Sequence, residues 1–228
     1  MLENNLVQIA GVIDLAEAQL LQQCGVRYLG FPLRLPVHRE DLTESEAAII
    51  IKRLAPPVFG VLITYLNEGN EIAAFCHALG ARIVQLHGEI DRDELKRAKM
   101  LDPTLTVIKS LIVGMQDGRT LEAMVSELSP FVDAFITDTF DPKTGASGAT
   151  GKTHDWRVSR RLVELSDRPV ILAGGLTPEN VKRAILEVRP AGVDSHTGVE
   201  DSTGRKSREK VQKFLSEAAE GFRSIEGK

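Results

Sequence analysis

The residues best suited to chemistry gather toward the C-terminal half of the chain. Asp138 ends the apolar run FITD, which puts a carboxyl group where a buried strand meets a loop. Downstream, the stretch Ile171 to Glu200 (ILAGGLTPENVKRAILEVRPAGVDSHTGVE) holds two apolar runs, and each empties into a glycine-bearing turn. The first runs from Pro169 to Ala173 into Gly174-Gly175, followed by Thr177 at a helix N-cap and Pro178 at the first helical position. The second passes Gly192, Val193 and Asp194 into His196-Thr197-Gly198. Glycine lets backbone come close to a ligand, and open N–H groups at a helix start attract phosphate. The two turns are therefore expected to form an anion cradle; two plain tight turns are the alternative. Histidines at 38, 87 and 196 add groups that titrate near neutrality, and Arg34 and Arg39 add fixed cations.

Short apolar strands and amphipathic helices alternate along the chain, which predicts βα units and a parallel sheet. Strands are expected at Leu6–Gly11, Tyr28–Phe31, Pro57–Thr64, Ile83–Leu86, Thr106–Ser110 and Val132–Thr137, with the two runs above as seventh and eighth. Helices are marked by their ends: Asp14 and Gly25 around the first, a Thr43/Glu46 capping box before the second, and Gly80 after the third. Others are expected over Asp91–Lys99 and Thr120–Leu128, from Asp155, and over Ser207–Ala219. The fold class read from this order is α/β, a single (β/α)8 TIM barrel domain over residues 1–228, with no composition break to mark a linker. Phosphate-type turns at units seven and eight favour the barrel over an open Rossmann-type sheet, whose glycine turn follows the first strand.

Composition narrows the partners. A hydrophobic share of 43% and a charged share of 26% suit a globular protein with a sizeable core, and a formal charge of −4 argues against nucleic acid or an anionic membrane. No apolar run approaches the roughly 20 residues of a membrane span, and the N-terminus lacks a basic-then-apolar signal. The two cysteines, Cys24 and Cys76, have no ligand or disulfide spacing, which points to a reducing, cytoplasmic setting.

In a barrel the chemistry lies at the C-terminal strand ends. That selects Ala10, Arg34, His38, Arg39, Asn67, His87, Lys109, Asp138, Asp194 and His196. For Asp138 the plainer reading is a loop cap, and for His87 a core-edge imidazole held by backbone. GASGATGKT fails as a nucleotide-binding loop because Ala146 stands where a glycine is needed, so Lys152 and its glycines are expected to form a flap over the mouth. The imidazoles of His38, His87 and His196 with Asp138 and Asp194 could gather a divalent ion, but strands two and four are not neighbours of strand eight, so no metal is assigned.

The chain resembles phosphoribosylanthranilate isomerase, the barrel enzyme of tryptophan synthesis. The resemblance rests on QIAGV, YLGF, VQLHGE, VIK, ITDT, TGKTHDW, LAGGLTPENV and GVDSHTGVE, in that order and over nearly the whole chain. It implies aldose-to-ketose (Amadori) isomerisation of an N-linked ribose 5-phosphate, with no metal or cofactor. It also implies a phosphorylated small-molecule substrate and a monomer or homodimer. Carried onto this sequence, Asp138 matches the general acid, and Gly174, Gly175, Thr197 and Gly198 match the phosphate cradle. Arg39 is the counterpart of the arginine that holds the anthranilate carboxylate, with Arg34 as its rival; His38 and His87 complete the substrate-binding set. The family's first strand ends Lys-Ile-Cys-Gly, the cysteine being the general base. Here it reads Gln8-Ile9-Ala10-Gly11, and His196 stands where the family has a small hydroxyl residue. Alanine cannot accept a proton, so Asp194, His196 or His38 would have to take over as base, and His196 is the residue assigned to catalysis. The alternatives are a diverged relative acting on a different phosphorylated sugar or acid, and a non-catalytic barrel that binds such a ligand.

Overall fold

In the computed structural model, which describes residues 2–36, 40–143, 146–148 and 151–226, eight parallel strands close into a barrel. These are β1 (Leu6–Ala10), β2 (Tyr28–Pro32), β3 (Phe59–Thr64), β4 (Ile83–Leu86), β5 (Thr106–Val113), β6 (Ala134–Asp141), β8 (Val170–Leu172) and β9 (Gly192–Ser195). The ring closes through β1 on β9, with Gln8 opposite Asp194 and Ile9 opposite Ser195. Strand β7 (Ala146–Ser147) lies outside the ring and pairs antiparallel with the end of β6.

Helices cover the outside: α1 (Leu15–Cys24), α2 (Glu44–Arg53), α3 (Gly69–Leu79), α4 (Arg92–Leu101), α5 (Gly118–Leu128), α6 (Trp156–Leu165), α7 (Val181–Val188) and α8 (Arg208–Glu226). Most begin where the sequence signals fall. Asp14 caps α1 through the Glu17 amide, the Thr43/Glu46 capping box is formed in full, and Asp155 caps α6. Gly25 and Gly80 end α1 and α3 in the left-handed conformation. Helix α7 starts three residues later than Pro178 predicts. Thr177 donates its N–H to Asn180 Oδ1 and takes the Glu179 amide on its hydroxyl, which closes a separate turn before Val181. Helix α8 is longer than expected because Val211, Phe214, Ala218 and Phe222 continue its buried stripe.

Alternation along the strands divides the core into two layers. Outward residues such as Ile9, Leu29, Leu62, Val84 and Phe135 meet the helices, while Leu6, Ala10, Val61, Ile63, Ile108, Ala134 and Ile136 fill the barrel interior. Barrel interiors are normally packed with branched aliphatic residues. Here Gln8, Gln85, Ser110 and Asp194 are buried among them and make a polar middle. Among the described residues, no helix is long and apolar enough to cross a membrane.

Candidate active site

The period-two pleat that sends Ala134 and Ile136 inward also sends Asp138 inward, at the mouth. Its Oδ1 accepts the Thr139 amide at 2.7 Å. Its Oδ2 faces the returning β7 hairpin: a Cβ on Gly148 would stand 2.6 Å from that oxygen and 3.1 Å from His87 Nε2. The flap expected over the mouth therefore reaches the site through Gly148, though residues 144–145 and 149–150 lie outside the described residues. Burial pushes the Asp138 carboxyl up to about 7 against the pull of the single amide bond. His87 is buried at the rim, its Nδ1 3.1 Å from Ser110 Oγ and its ring tilted on Tyr65.

Beneath the mouth a hydrogen-bonded chain crosses the barrel. Gln8 donates to Gln85 Oε1 at 2.9 Å, Gln85 donates to Ser110 Oγ at 3.4 Å, and Ser110 meets His87. Asp194 faces Gln8 across the closing strand pair, and its carboxyl is pushed up to about 7 by burial and by the Asp138 charge. Among the described residues, Gln8 Oε1 and Asp194 Oδ1 are both buried acceptors without a donor. A side-chain hydrogen bond from Gln8 opposes the upward shift of Asp194 but does not overcome it. The inward phase of strands one and eight identifies Gln8 and Asp194 from sequence. The partnership of Gln8 with Gln85, 77 residues away, has no local signal.

His196 leaves β9 toward β1. Its imidazole lies so close to Gly11 that a Cβ there would stand 2.0 Å from Nε2, and Gly11 itself has a positive φ of 78°. The ring therefore sits against the strand end that carries Ala10. Glu200 Oε1 lies 3.6 Å from Nε2 and is held at 2.6 Å by the fully buried ammonium of Lys206.

The two glycine turns interlock beside this group. Gly174 and Gly175 have φ of 92° and 61°, open only to glycine at low cost. Among the described residues, their N–H groups donate to no protein acceptor. The end of the flap crosses Gly175 at Lys152–Thr153, and Gly198 packs on the Leu176 carbonyl, to which Ser195 Oγ also donates at 2.8 Å. Thr197 and Gly198 open a 3-10 turn, whose first amides have no partner inside the turn.

Of the remaining candidates, Arg34 is engaged elsewhere: its guanidinium stacks 3.8 Å from the Phe75 ring centroid and pairs with Glu44 at 2.8 Å. His38 and Arg39 lie outside the described residues. Lys109 is buried and donates to the Leu86 and Ser110 carbonyls. Among the described residues, no three His, Cys, Asp or Glu side chains gather as a metal site.

The chain that builds this site is similar in sequence and fold to known proteins. The family model described as N-(5'phosphoribosyl)anthranilate (PRA) isomerase matches residues 7–217. N-(5'-phosphoribosyl)anthranilate isomerase 2 of Methanosarcina mazei is 35% identical over 221 residues, covering 95% of each chain. The Desulforudis audaxviator enzyme of the family is 39% identical over 221 residues, 95% of this chain and 99% of its own. Among solved structures, phosphoribosyl anthranilate isomerase from Thermotoga maritima superposes with a TM-score of 0.78 at 29% identity, covering 95% of this chain and 99% of its own. A phosphoribosyl anthranilate isomerase in complex with reduced 1-(o-carboxyphenylamino)-1-deoxyribulose 5-phosphate gives a TM-score of 0.76 at 27% identity, covering 95% and 99% of the two chains. With the family model matching residues 7–217 and a relative 35% identical over 95% of the chain, the chain belongs to the N-(5'-phosphoribosyl)anthranilate isomerase family.

Proposed function

We propose that this protein isomerises N-(5'-phosphoribosyl)anthranilate in tryptophan biosynthesis, with Asp138 as general acid and His196 as general base. The observation that carries this reading is Asp138, a carboxyl group buried at the mouth whose pKa is raised to about 7. Such a group keeps its proton near neutrality and can give it to the ribose ring oxygen. As the C1–O bond breaks, the nitrogen lone pair forms a C1=N iminium. His196 then takes the C2 proton, and the C–H electron pair becomes a C1=C2 bond while the iminium pair returns to nitrogen. The resulting enol gives up its hydroxyl proton, C1 gains one, and the amino-ketose results.

The approach of the His196 ring to the Ala10 end of β1 supports its role as base. The open amides of Gly174 and Gly175, with Thr197 and Gly198, suit the 5'-phosphate. Arg39 is the proposed partner of the anthranilate carboxylate; Arg34, occupied by Glu44 and Phe75, is the weaker choice. His38 and His87 are proposed to complete the substrate's surroundings. A cytoplasmic monomer or homodimer completes the reading.

The test is fluorescence-monitored consumption of phosphoribosylanthranilate by the purified protein, with Asp138→Asn and His196→Ala alongside. Turnover in the parent that either substitution lowers by about 10²-fold or more, the scale of general acid–base help, supports the assignment. A His196→Ala variant as active as the parent removes His196 from the base role. A second reading has an observation of its own: simple decay of the site accounts for Ala10 but not for an added imidazole beside it. Under that reading the phosphate turns and Asp138 serve a different phosphorylated sugar or acid, and the parent protein leaves phosphoribosylanthranilate untouched.

A further inference from the structure

A second hydrogen-bonded chain runs behind the mouth, on the helix side of β6. His154, just before the α6 cap Asp155, places Nδ1 2.8 Å from Thr139 Oγ1 and Nε2 2.6 Å from Ser159 Oγ. Ser159 is fully buried on α6. Both ring nitrogens are thus engaged by hydroxyls, which can donate or accept, so a neutral imidazole satisfies both contacts without a counterion. Burial depresses the His154 pKa to about 4, the neighbouring Asp155 charge opposing the shift. The ring cannot turn without losing both bonds.

Thr139 is the residue this ring holds, and it touches three parts of the site. Its N–H donates to Asp138 Oδ1 at 2.7 Å. Its carbonyl accepts the Gly148 amide of the hairpin at 3.0 Å. Its hydroxyl fills the space beside Gly174, where a Cβ would stand 2.1 Å from Oγ1. We propose that His154 is a positioning residue that, through Thr139, sets both the proton-donating carboxyl of Asp138 and the Gly174 turn. The inference rests on the roles given above to Asp138 and the glycine turns. It adds that one neutral imidazole, anchored on Ser159, holds the acid and the anion-binding turn in fixed relation.

His154→Phe keeps a ring and removes both bonds; Thr139→Val removes the hydroxyl alone. The first readout is the titration of the Asp138 carboxyl followed by carbon NMR, which needs no turnover. The groups that face Asp138, His87 from β4 and Asp194 from β9, are unchanged in both variants. The Thr139 amide favours the carboxylate form. Loosening it should therefore raise the Asp138 pKa, and the alkaline limb of kcat should move upward with it. The second readout is affinity for inorganic phosphate by calorimetry, expected to fall up to about tenfold, the scale of one net hydrogen bond. The double variant should be no worse than either single one, since both cut the same link. If His154→Phe fails to fold, Ser159→Ala, which frees only the far side of the ring, should show the same shifts in smaller size. Folded variants with an unmoved Asp138 titration and unmoved phosphate affinity would overturn the proposal and leave His154 as core packing. A parent protein that binds no phosphate would instead count against the cradle, while the NMR titration would still decide the link to Asp138.

Discussion

At the scale of single residues, the proposed chemistry turns on Asp138 and on Ala10. Asp138 is recognisable because a carboxylate ends an apolar strand. Its raised pKa is not, because the desolvation comes from burial in the closed barrel, where the Gly148 backbone also approaches Oδ2. In its proposed role as general acid Asp138 must be protonated to act, so kcat should decline as pH rises through about 7, and a pH–rate profile checks this. Ala10→Cys offers the sharpest residue test. If a missing thiol limits the family reaction, the substitution should raise phosphoribosylanthranilate turnover by about 10²-fold or more, and Asp138→Asn should remove the gain. An unresponsive Ala10→Cys would favour a different phosphorylated substrate. His196 is the intermediate case: its type was visible in HTGVE, but its seat on Gly11 depends on two strands meeting 185 positions apart across the barrel closure, Gly11 following β1 and His196 following β9.

At the scale of elements, the strand phases and most helix caps follow local chemistry, and the start of α7 and the hairpin do not. The Thr43/Glu46 capping box is written in four residues and formed in full. Thr43→Ala should lower stability by about 1 kcal/mol with no change in turnover, as measured by chemical denaturation beside the assay. Strand β7 was missed because Ala146 and Ser147 carry no strand pattern and pair only through the extended end of β6. Gly148 is the hairpin's point of contact, with φ of 86° and no room for a side chain against Asp138. Gly148→Ala should lift the hairpin, admit water to Asp138 and lower its pKa. The alkaline limb would then move to lower pH and KM would rise; steady-state kinetics across pH would reveal either outcome.

At the scale of the whole molecule, the barrel buries two carboxyl groups and an imidazole whose titration is linked to folding. Asp138 and Asp194 are both raised from 3.8 to about 7, so each favours the fold while protonated. Their contribution is complete below the unfolded value and is lost as pH rises through about 7. His154 runs the other way: lowered from 6.5 to about 4, it favours the fold while neutral, and that contribution is lost as pH falls through about 4. Asp194→Asn removes one buried carboxyl at nearly unchanged side-chain size. The variant should therefore keep the fold and gain stability relative to the parent at pH 8 more than at pH 5. Urea denaturation at the two pH values measures the difference. An equal effect at both would mean that Asp194 is ionised in the native barrel.

The alternation of apolar strands with capped helices, the left-handed glycines after α1 and α3 and the inward phase of Asp138 on strand six all follow from spacings within a few residues, so they are legible in the amino-acid order, whereas the run of β6 on to Asp141 is not. Barrel closure, and with it the meeting of Gln8, Gln85 and Asp194, needed the tertiary structure, because these partners lie on strands far apart in sequence. The same holds for Thr139, His154 and Ser159: each is unremarkable in its own segment, and only the packing of α6 on β6 brings their polar atoms into one chain. The engagement of Arg34 by Phe75 and Glu44 was likewise a matter of packing, since a guanidinium beside a strand end can turn toward a ligand or toward a neighbouring helix. Local spacing sets which face a side chain takes, while the direction and charge of a buried polar group depend on what the closed barrel leaves beside it.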